Sequence, residues 1–154
     1  MSFKFNLSTE SVQAASPVKP RSVAPETTIR AVLGLLKQHG DGSVLVCRDG
    51  VLAGIFTERD ALKVLADDAD LDAAIDTVMV SDPVTIDAGA TVGEAIRRMS
   101  AGGYRRLPLI DAEGRAVGVV KVSGIVHYLV EHVPEVVYNL PPQPRPMTQE
   151  REGA

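Results

Sequence analysis

Residues 54–65, GIFTERDALKVL, determine the fold, because residues 118–129, GVVKVSGIVHYL, repeat their pattern 64 positions later. Glycine aligns with glycine, and apolar positions align with apolar positions. The polar positions differ, since Thr57 aligns with Lys121 and Asp60 aligns with Gly124. The chain therefore carries one structural unit twice, with the Thr and the Asp of the first copy missing from the second.

The repeat extends toward the N-terminus of each copy, to Pro20 and Pro83 at an offset of 63 residues. RSVAPETTIRAVLGLLKQHG (21–40) then aligns with VTIDAGATVGEAIRRMSAGG (84–103). SVLVCRDG (43–50) aligns with RLPLIDAEG (106–114), which has one extra residue. A register that holds through both stretches with a single loop insertion indicates an internal duplication.

The sequence predicts the same first helix in both copies. Thr28 and Thr91 follow a short extended segment, and a Thr oxygen can accept hydrogen bonds from the free N–H groups of a first helical turn. Glu94, three residues after Thr91, predicts a capping box. Apolar residues at helical spacing predict one buried face in each helix, and a Gly ends each of them. The predicted helices cover 29–38 and 92–101.

The second half of each copy predicts a strand hairpin and a helix. Two apolar strands joined by a short turn favour an antiparallel hairpin. A unit of about 50 residues buries too little surface to be stable alone, so the two copies are expected to share a core. The fold class is therefore predicted as α+β, with two β-α-β-β-α repeats packed through their sheets with pseudo-twofold symmetry. The predicted strands are 44–47, 51–56, 107–110 and 115–120, and the closing helices are 58–66 and 124–132.

The repeat also sets the expected domain boundaries. Between the copies lies an acidic, Ala-rich stretch that could form a short helix around 70–77. The last part of the chain contains PPQPRP, which is expected to be extended. The predicted division is a flexible N-terminus (1–9), repeat one (10–66), a linker (67–76), repeat two (77–133) and a Pro-rich flexible tail (134–154).

Composition excludes several classes of protein. The 154 residues have a net charge of −4, which disfavours broad nucleic-acid binding. No run of about 20 apolar residues predicts a membrane span. The N-terminus shows no apolar signal core, and the single Cys47 excludes an internal disulfide, so a cytoplasmic location is expected. The three His residues share no metal-ligand spacing, so no metal is predicted.

The repeated unit resembles a tandem pair of CBS domains, also called a Bateman module, of the small stand-alone bacterial type. RRLPLID in copy two and GIFTERDAL in copy one carry the resemblance, which covers roughly residues 10–132. It implies a regulatory module, without catalysis or a catalytic cofactor. It also implies an adenosine-containing ligand such as AMP, ADP, ATP, NAD or S-adenosylmethionine, a homodimer, and an unidentified downstream protein.

Thr57 and Asp60 are the polar residues that favour a binding site. A helix N-terminus presents free N–H groups and the positive end of a dipole, which favour phosphate. A carboxylate one turn later can accept two hydrogen bonds from a ribose diol. The same Thr-x-x-Asp pattern is also nearly a capping box, so it could serve only to stabilise the helix. The resemblance favours the ligand site.

The resemblance also implies which residues form the cleft. Copy one supplies one edge and copy two supplies the walls around the base, with aliphatic side chains around adenine and backbone near 82–84 reading its edge. Arg105 and Arg106 could reach phosphates, although strand alternation should let only one of them face the cleft. The predicted ligand-binding residues are Ile55, Thr57, Arg59, Asp60, Asp82, Val84, Tyr104, Arg105 and Pro108.

A second, weaker cleft is expected by symmetry. Because Gly124 replaces Asp60, this cleft lacks the ribose carboxylate, while Ser123 could still cap its helix. The hypothesis is that the fold needed both copies, whereas the ribose function was kept once. The residues expected there are Lys19, Arg21, Asp41, Gly42, Ser43, Lys121, Ser123 and Gly124.

The leading hypothesis is a non-catalytic adenine-nucleotide sensor. The alternative is an interaction or scaffold dimer with empty clefts, in which the dimer surface or the PPQPRP tail is the functional part. A small enzyme has no constellation of residues behind it, since the sequence contains no GxSxG, HExxH, CxxC or P-loop.

Overall fold

The computed structural model describes residues 4–40 and 42–132. Its helices are α1 Lys4–Thr9, α2 Ile29–His39, α3 Glu58–Ala66, α4 Val92–Gly102 and α5 Val122–His132, with 3-10 helices at Val12–Ala15 and Ile75–Thr77. Its strands are β1 Ser22–Val23, β2 Ser43–Arg48, β3 Val51–Thr57, β4 Val80–Ser81, β5 Ile86–Asp87, β6 Arg106–Ile110 and β7 Ala116–Lys121.

These strands form two small sheets, one for each repeat. The first has the order β1-β2-β3-β4 and the second has the order β5-β6-β7. In both sheets the entering strand runs parallel to the next one, and the hairpin β2-β3 or β6-β7 is antiparallel. The architecture is therefore α+β with two equivalent repeats, as the sequence predicts.

The ends of α2 and α4 form as the sequence predicts, with one exception. The Oγ1 atoms of Thr28 and Thr91 accept hydrogen bonds of 3.1 Å from the third residue of their helices. Gly40 and Gly103 end these helices with φ of 67° and 70°. In this left-handed conformation a residue with a Cβ meets a steric cost, which glycine avoids. The exception is Glu94, whose carboxylate accepts a hydrogen bond from Arg98 at 3.1 Å, so the structure shows only the Thr91 half of the predicted capping box.

The two repeats exchange their entering segments. Val12 lies at the start of repeat one but is fully buried in the core of repeat two, where its N–H donates to the carbonyl of Ala90 at 2.9 Å. Ile75 precedes repeat two but is fully buried in the core of repeat one, where its N–H donates to the carbonyl of Thr27 at 2.7 Å. The boundaries 10–66 and 77–133 therefore describe the order of the chain, whereas each core draws one segment from outside its own repeat.

The strands are exchanged in the same way. β4 leads into repeat two but pairs with β3 of repeat one, where Gly54 lies opposite Ser81. Val18 leads into repeat one and forms a bridge with Val119 of repeat two. Between the sheets, Leu45, Ile55 and Val119 form a shared apolar cluster, which is the common core that the sequence predicts.

Two segments differ from the expectation. Residues 4–9 form α1 where the sequence predicts a flexible terminus, and the carbonyl of Leu7 lies so near Gly93 that a Cβ at that glycine would approach it to 2.8 Å. The short helix expected around 70–77 is a single 3-10 turn, Ile75–Thr77. The proline-rich tail, 134–154, lies outside the described residues.

The exchange predicts that Val12 stabilises a repeat to which it does not belong in sequence. We expect Val12→Ala to lower the free energy of unfolding by about 2 kcal/mol, because it removes two buried methyl groups and leaves a cavity. The matched control is Val117→Ala, since Val117 is 46% exposed and should cost only about 0.5 kcal/mol. Urea denaturation measures both values, and equal effects would contradict the exchange.

Candidate functional site

A cleft of about 740 Å³ lies between the two repeats. Its walls contain all nine residues that the sequence predicts for the ligand site, four from copy one and five from copy two or the segment leading into it. The cleft also contains residues that were not on that list, namely Gly42, Glu58, Val80, Pro83, Gly103 and Arg106.

The wall from copy one is organised by the start of α3. Thr57 is the N-cap of α3, and its Oγ1 accepts a hydrogen bond from the N–H of Asp60 at 3.4 Å. In return, Oδ2 of Asp60 accepts from the N–H of Thr57 at 2.9 Å and from its hydroxyl at 3.0 Å. The capping box is therefore real, and it fixes a half-buried carboxylate at the mouth of the cleft.

The capping box does not compete with a binding role. A carboxylate has about four lone-pair sites on two oxygens, and the two bonds to Thr57 both go to Oδ2. Asp60 thus retains acceptor capacity while its position is set by the helix start. The helix-cap interpretation of Thr-x-x-Asp is confirmed, and the binding interpretation stays a prediction that this geometry allows.

The wall from copy two brings two arginines into the cleft. The prediction that only one of Arg105 and Arg106 faces it is wrong, because both line it. Strand alternation applies only from Arg106, the first residue of β6, whereas Arg105 precedes the strand. The Arg106 guanidinium extends across to Gly42, where there is no room for a Cβ, and its buried Nε has no hydrogen-bond partner among the described residues.

The third part of the cleft is the segment that enters repeat two. Asp82 follows β4 and has a φ of 50°, a left-handed conformation that is uncommon for a residue other than glycine. Its N–H donates to the carbonyl of Ala53 at 3.3 Å, which ties the segment to β3. The turn places Pro83 and Val84 in the cleft, so aliphatic surface lies near the polar groups.

The cleft therefore combines three chemical features. Carboxylates of Glu58, Asp60 and Asp82 can accept hydrogen bonds from hydroxyl or amino groups. Guanidinium groups of Arg59, Arg105 and Arg106 can bind phosphate bidentately. Apolar surface that can enclose a flat ring is supplied by Ile55, Val80, Val84 and Pro108.

The residues expected for the second cleft do not all line one hollow. Ser123 and Gly124 line a separate hollow of about 360 Å³ with Ala14 and Ser16, and neither Lys121 nor Arg21 belongs to it. Gly42 lies in the first cleft instead, and Ser43 is only 8% exposed within β2. Asp41 lies outside the described residues.

The helix start in copy two explains this difference. α5 begins at Val122, so Ser123 lies inside the helix and is not its cap. A Cβ at Gly124 would lie 2.5 Å from the carbonyl oxygen of Ala15. Because the segment leading into repeat one packs against the start of α5, the position equivalent to Asp60 has no space for a side chain.

The described residues also bear on metal binding and membrane insertion. They contain no group of three or more His, Cys, Asp or Glu side chains placed to hold a metal ion. Among their helices, none has the length and apolar character that crossing a membrane requires.

Comparison with known proteins gives the family. The CBS domain model matches residues 14–67 and again residues 74–131, so this chain belongs to the CBS domain family and contains two such domains. The chain is 31% identical over 116 residues to the CBS domain-containing protein YhcV of Bacillus subtilis, a match covering 75% of this chain and 82% of YhcV. It is 33% identical over 118 residues to protein MK0525 of Methanopyrus kandleri, covering 73% of this chain and 60% of that protein.

Among solved structures, the fold matches the CBS domain protein PAE2072 from Pyrobaculum aerophilum, which was crystallised with AMP. The TM-score is 0.71 at 24% sequence identity, and the match covers 79% of this chain and 96% of that chain. At this identity the likeness establishes the fold alone.

The packing at Gly124 predicts that replacing this glycine destabilises the protein. We expect Gly124→Ala to lower the free energy of unfolding by about 1–3 kcal/mol, because the new methyl group meets the Ala15 backbone. The control is Gly34→Ala in α2, where a Cβ would have no atom within 4 Å and should stabilise the helix by up to about 1 kcal/mol. Thermal unfolding measures both, and a neutral Gly124→Ala would refute the close approach.

Proposed function

We propose that this protein is a non-catalytic regulatory module that binds an adenosine-containing ligand in the cleft between its two repeats. One observation carries the proposal. The Asp60 carboxylate of one repeat and the Arg105 and Arg106 guanidinium groups of the other line the same cleft. The AMP bound to PAE2072, which shares this fold, supports an adenine nucleotide as the ligand class.

Each part of such a ligand has a counterpart in the cleft. The ribose hydroxyls would donate to the Asp60 carboxylate, which the capping box holds in place. The phosphate would lie against the guanidinium groups of Arg105 and Arg106. The base would lie between aliphatic side chains such as Ile55 and Val84.

The proposed output is a change in how the repeats sit relative to each other. A ligand shifts a conformational equilibrium only by its difference in affinity for the two states. A nucleotide that contacts both walls depends on their separation, so its affinity differs between arrangements of the repeats. The alternative, a scaffold with empty clefts, lacks a specific role for the arginines.

The proposal predicts a shift in thermal unfolding on adding AMP. AMP at about 100 times its dissociation constant should add roughly 2.7 kcal/mol of stability. For a domain of this size that is a rise in Tm of about 5–10 °C. ADP, ATP, NAD and S-adenosylmethionine in the same panel would identify the preferred ligand.

Asp60→Asn separates binding from helix capping. Asparagine keeps an oxygen that can accept from the N–H of Thr57 but loses the charge that favours the ribose diol, so affinity should fall about 10- to 100-fold. Stability without ligand should change by less than about 1 kcal/mol. Asp76→Asn, at an exposed position outside the cleft, should keep the full shift. The scaffold alternative gains if wild type shows no shift with any ligand.

We further propose that the module is a homodimer formed through its helix pairs. Leu62 of α3 and Val126 of α5 occupy equivalent positions in the two repeats, and they are 69% and 52% exposed. The chain therefore presents the same apolar position twice, on surfaces related by the pseudo-twofold symmetry. A second copy of the chain presents a matching pair, which suits a symmetric interface.

The dimer predicts an effect of charge at these positions. We expect Val126→Asp to raise the dimer dissociation constant at least about tenfold, because the carboxylate would be desolvated in an apolar interface. Val117→Asp is the control, since Val117 is 46% exposed on β7, away from the helices. Sedimentation equilibrium measures both constants. A wild-type chain that sediments as a monomer would rule the dimer out.

A further inference from the structure

Besides the cleft and the hollow at Ser123, a further hollow lies between the helices of repeat two. It has a volume of about 440 Å³, and its lining is mainly apolar. α4 contributes Ile96 and Met99, and α5 contributes Val122, Ile125, Val126 and Leu129. We call this hollow the helix groove. It contains Val126, so it belongs to the surface that we propose for the second copy.

The helix groove and the nucleotide cleft share a wall. Gly103 and Tyr104 line both of them. Tyr104 is 40% exposed, and its ring folds back over Gly102 so closely that a Cβ at Gly102 could not fit. The two glycines at the end of α4 therefore allow one aromatic ring to stand between a polar cleft and an apolar groove.

We propose that Tyr104 couples nucleotide binding to dimer formation. The inference rests on the proposed function and adds to it the residue through which the signal leaves the cleft. A nucleotide in the cleft contacts one side of the Tyr104 wall, and the helices of the second copy contact the other side. Neither event can move the ring without changing the surface that the other partner meets.

The expected sign follows from the ordering of this ring. An exposed aromatic side chain loses rotational freedom when a partner packs against it. If the nucleotide has already fixed the ring, the second copy meets an ordered surface and has less ordering to impose. AMP should therefore tighten the dimer, and by linkage dimer formation should tighten AMP binding. Because one dimer binds two AMP molecules, the gain at each site is the square root of the factor by which AMP tightens the dimer.

The test is the dimer dissociation constant with and without saturating AMP, measured by sedimentation equilibrium on the full chain. We expect AMP to lower the constant of wild type at least about fivefold. Tyr104→Phe retains the ring and should respond like wild type. Tyr104→Ala, measured at an AMP concentration that saturates that variant, should show no response. Val126→Asp should bind AMP more weakly than the wild-type dimer, by the square root of that factor.

The outcomes separate this inference from the proposed function. If wild type binds AMP and its dimer constant stays the same or rises, the coupling is wrong while the nucleotide site stands. A Tyr104→Ala chain that responds like wild type also overturns the role of Tyr104. A chain that binds AMP but stays a monomer with and without it overturns the dimer and the coupling, and leaves the nucleotide site standing. Failure of wild type to bind AMP or any other ligand of the panel overturns the nucleotide site, and the coupling with it.

Discussion

The rest of the structure depends on the fact that neither repeat completes its own core. A unit of about 50 residues cannot bury enough apolar surface to stand alone. Here each repeat receives an apolar side chain from the segment that enters the other one, Val12 in one direction and Ile75 in the other. The two sheets then share Leu45, Ile55 and Val119. The repeats are therefore one folding unit, and the cleft between them is formed by the fold itself.

The position of the cleft follows from this exchange. β4 pairs with β3, which holds the entry to repeat two against the sheet of repeat one. Asp82, in its left-handed conformation, turns the chain directly after β4 and leads to Val84 in the wall. The same contacts that complete the core thus bring the start of α3 to face Arg105. A functional site between repeats needs no separate scaffold, because the stability of the fold already requires their close contact.

Much of this could be predicted from the sequence, because a register kept over two copies carries information at every position. The caps at Thr28 and Thr91, the hairpins and the nine cleft residues all follow from the repeat and the family resemblance. The exchange could not be predicted, since the two copies have equivalent entering segments and periodicity does not say which core each one joins. Arg105 was predicted for the cleft, whereas Arg106 was missed because alternation was applied one residue before the strand begins.

The two copies differ at the start of their closing helices because packing leaves room for a polar side chain in only one of them. At the start of α3 the residues have room for a capping box, so Asp60 stabilises the helix and faces the cleft at once. At the start of α5 the carbonyl of Ala15 approaches the backbone too closely for any side chain at position 124. The sequence alone suggested that a ribose function had been lost from copy two. The structure gives a steric reason: the segment that completes the core of repeat two occupies the space that an aspartate would need. The start of α5 thus differs from the start of α3 because of how the duplicated unit closes its core.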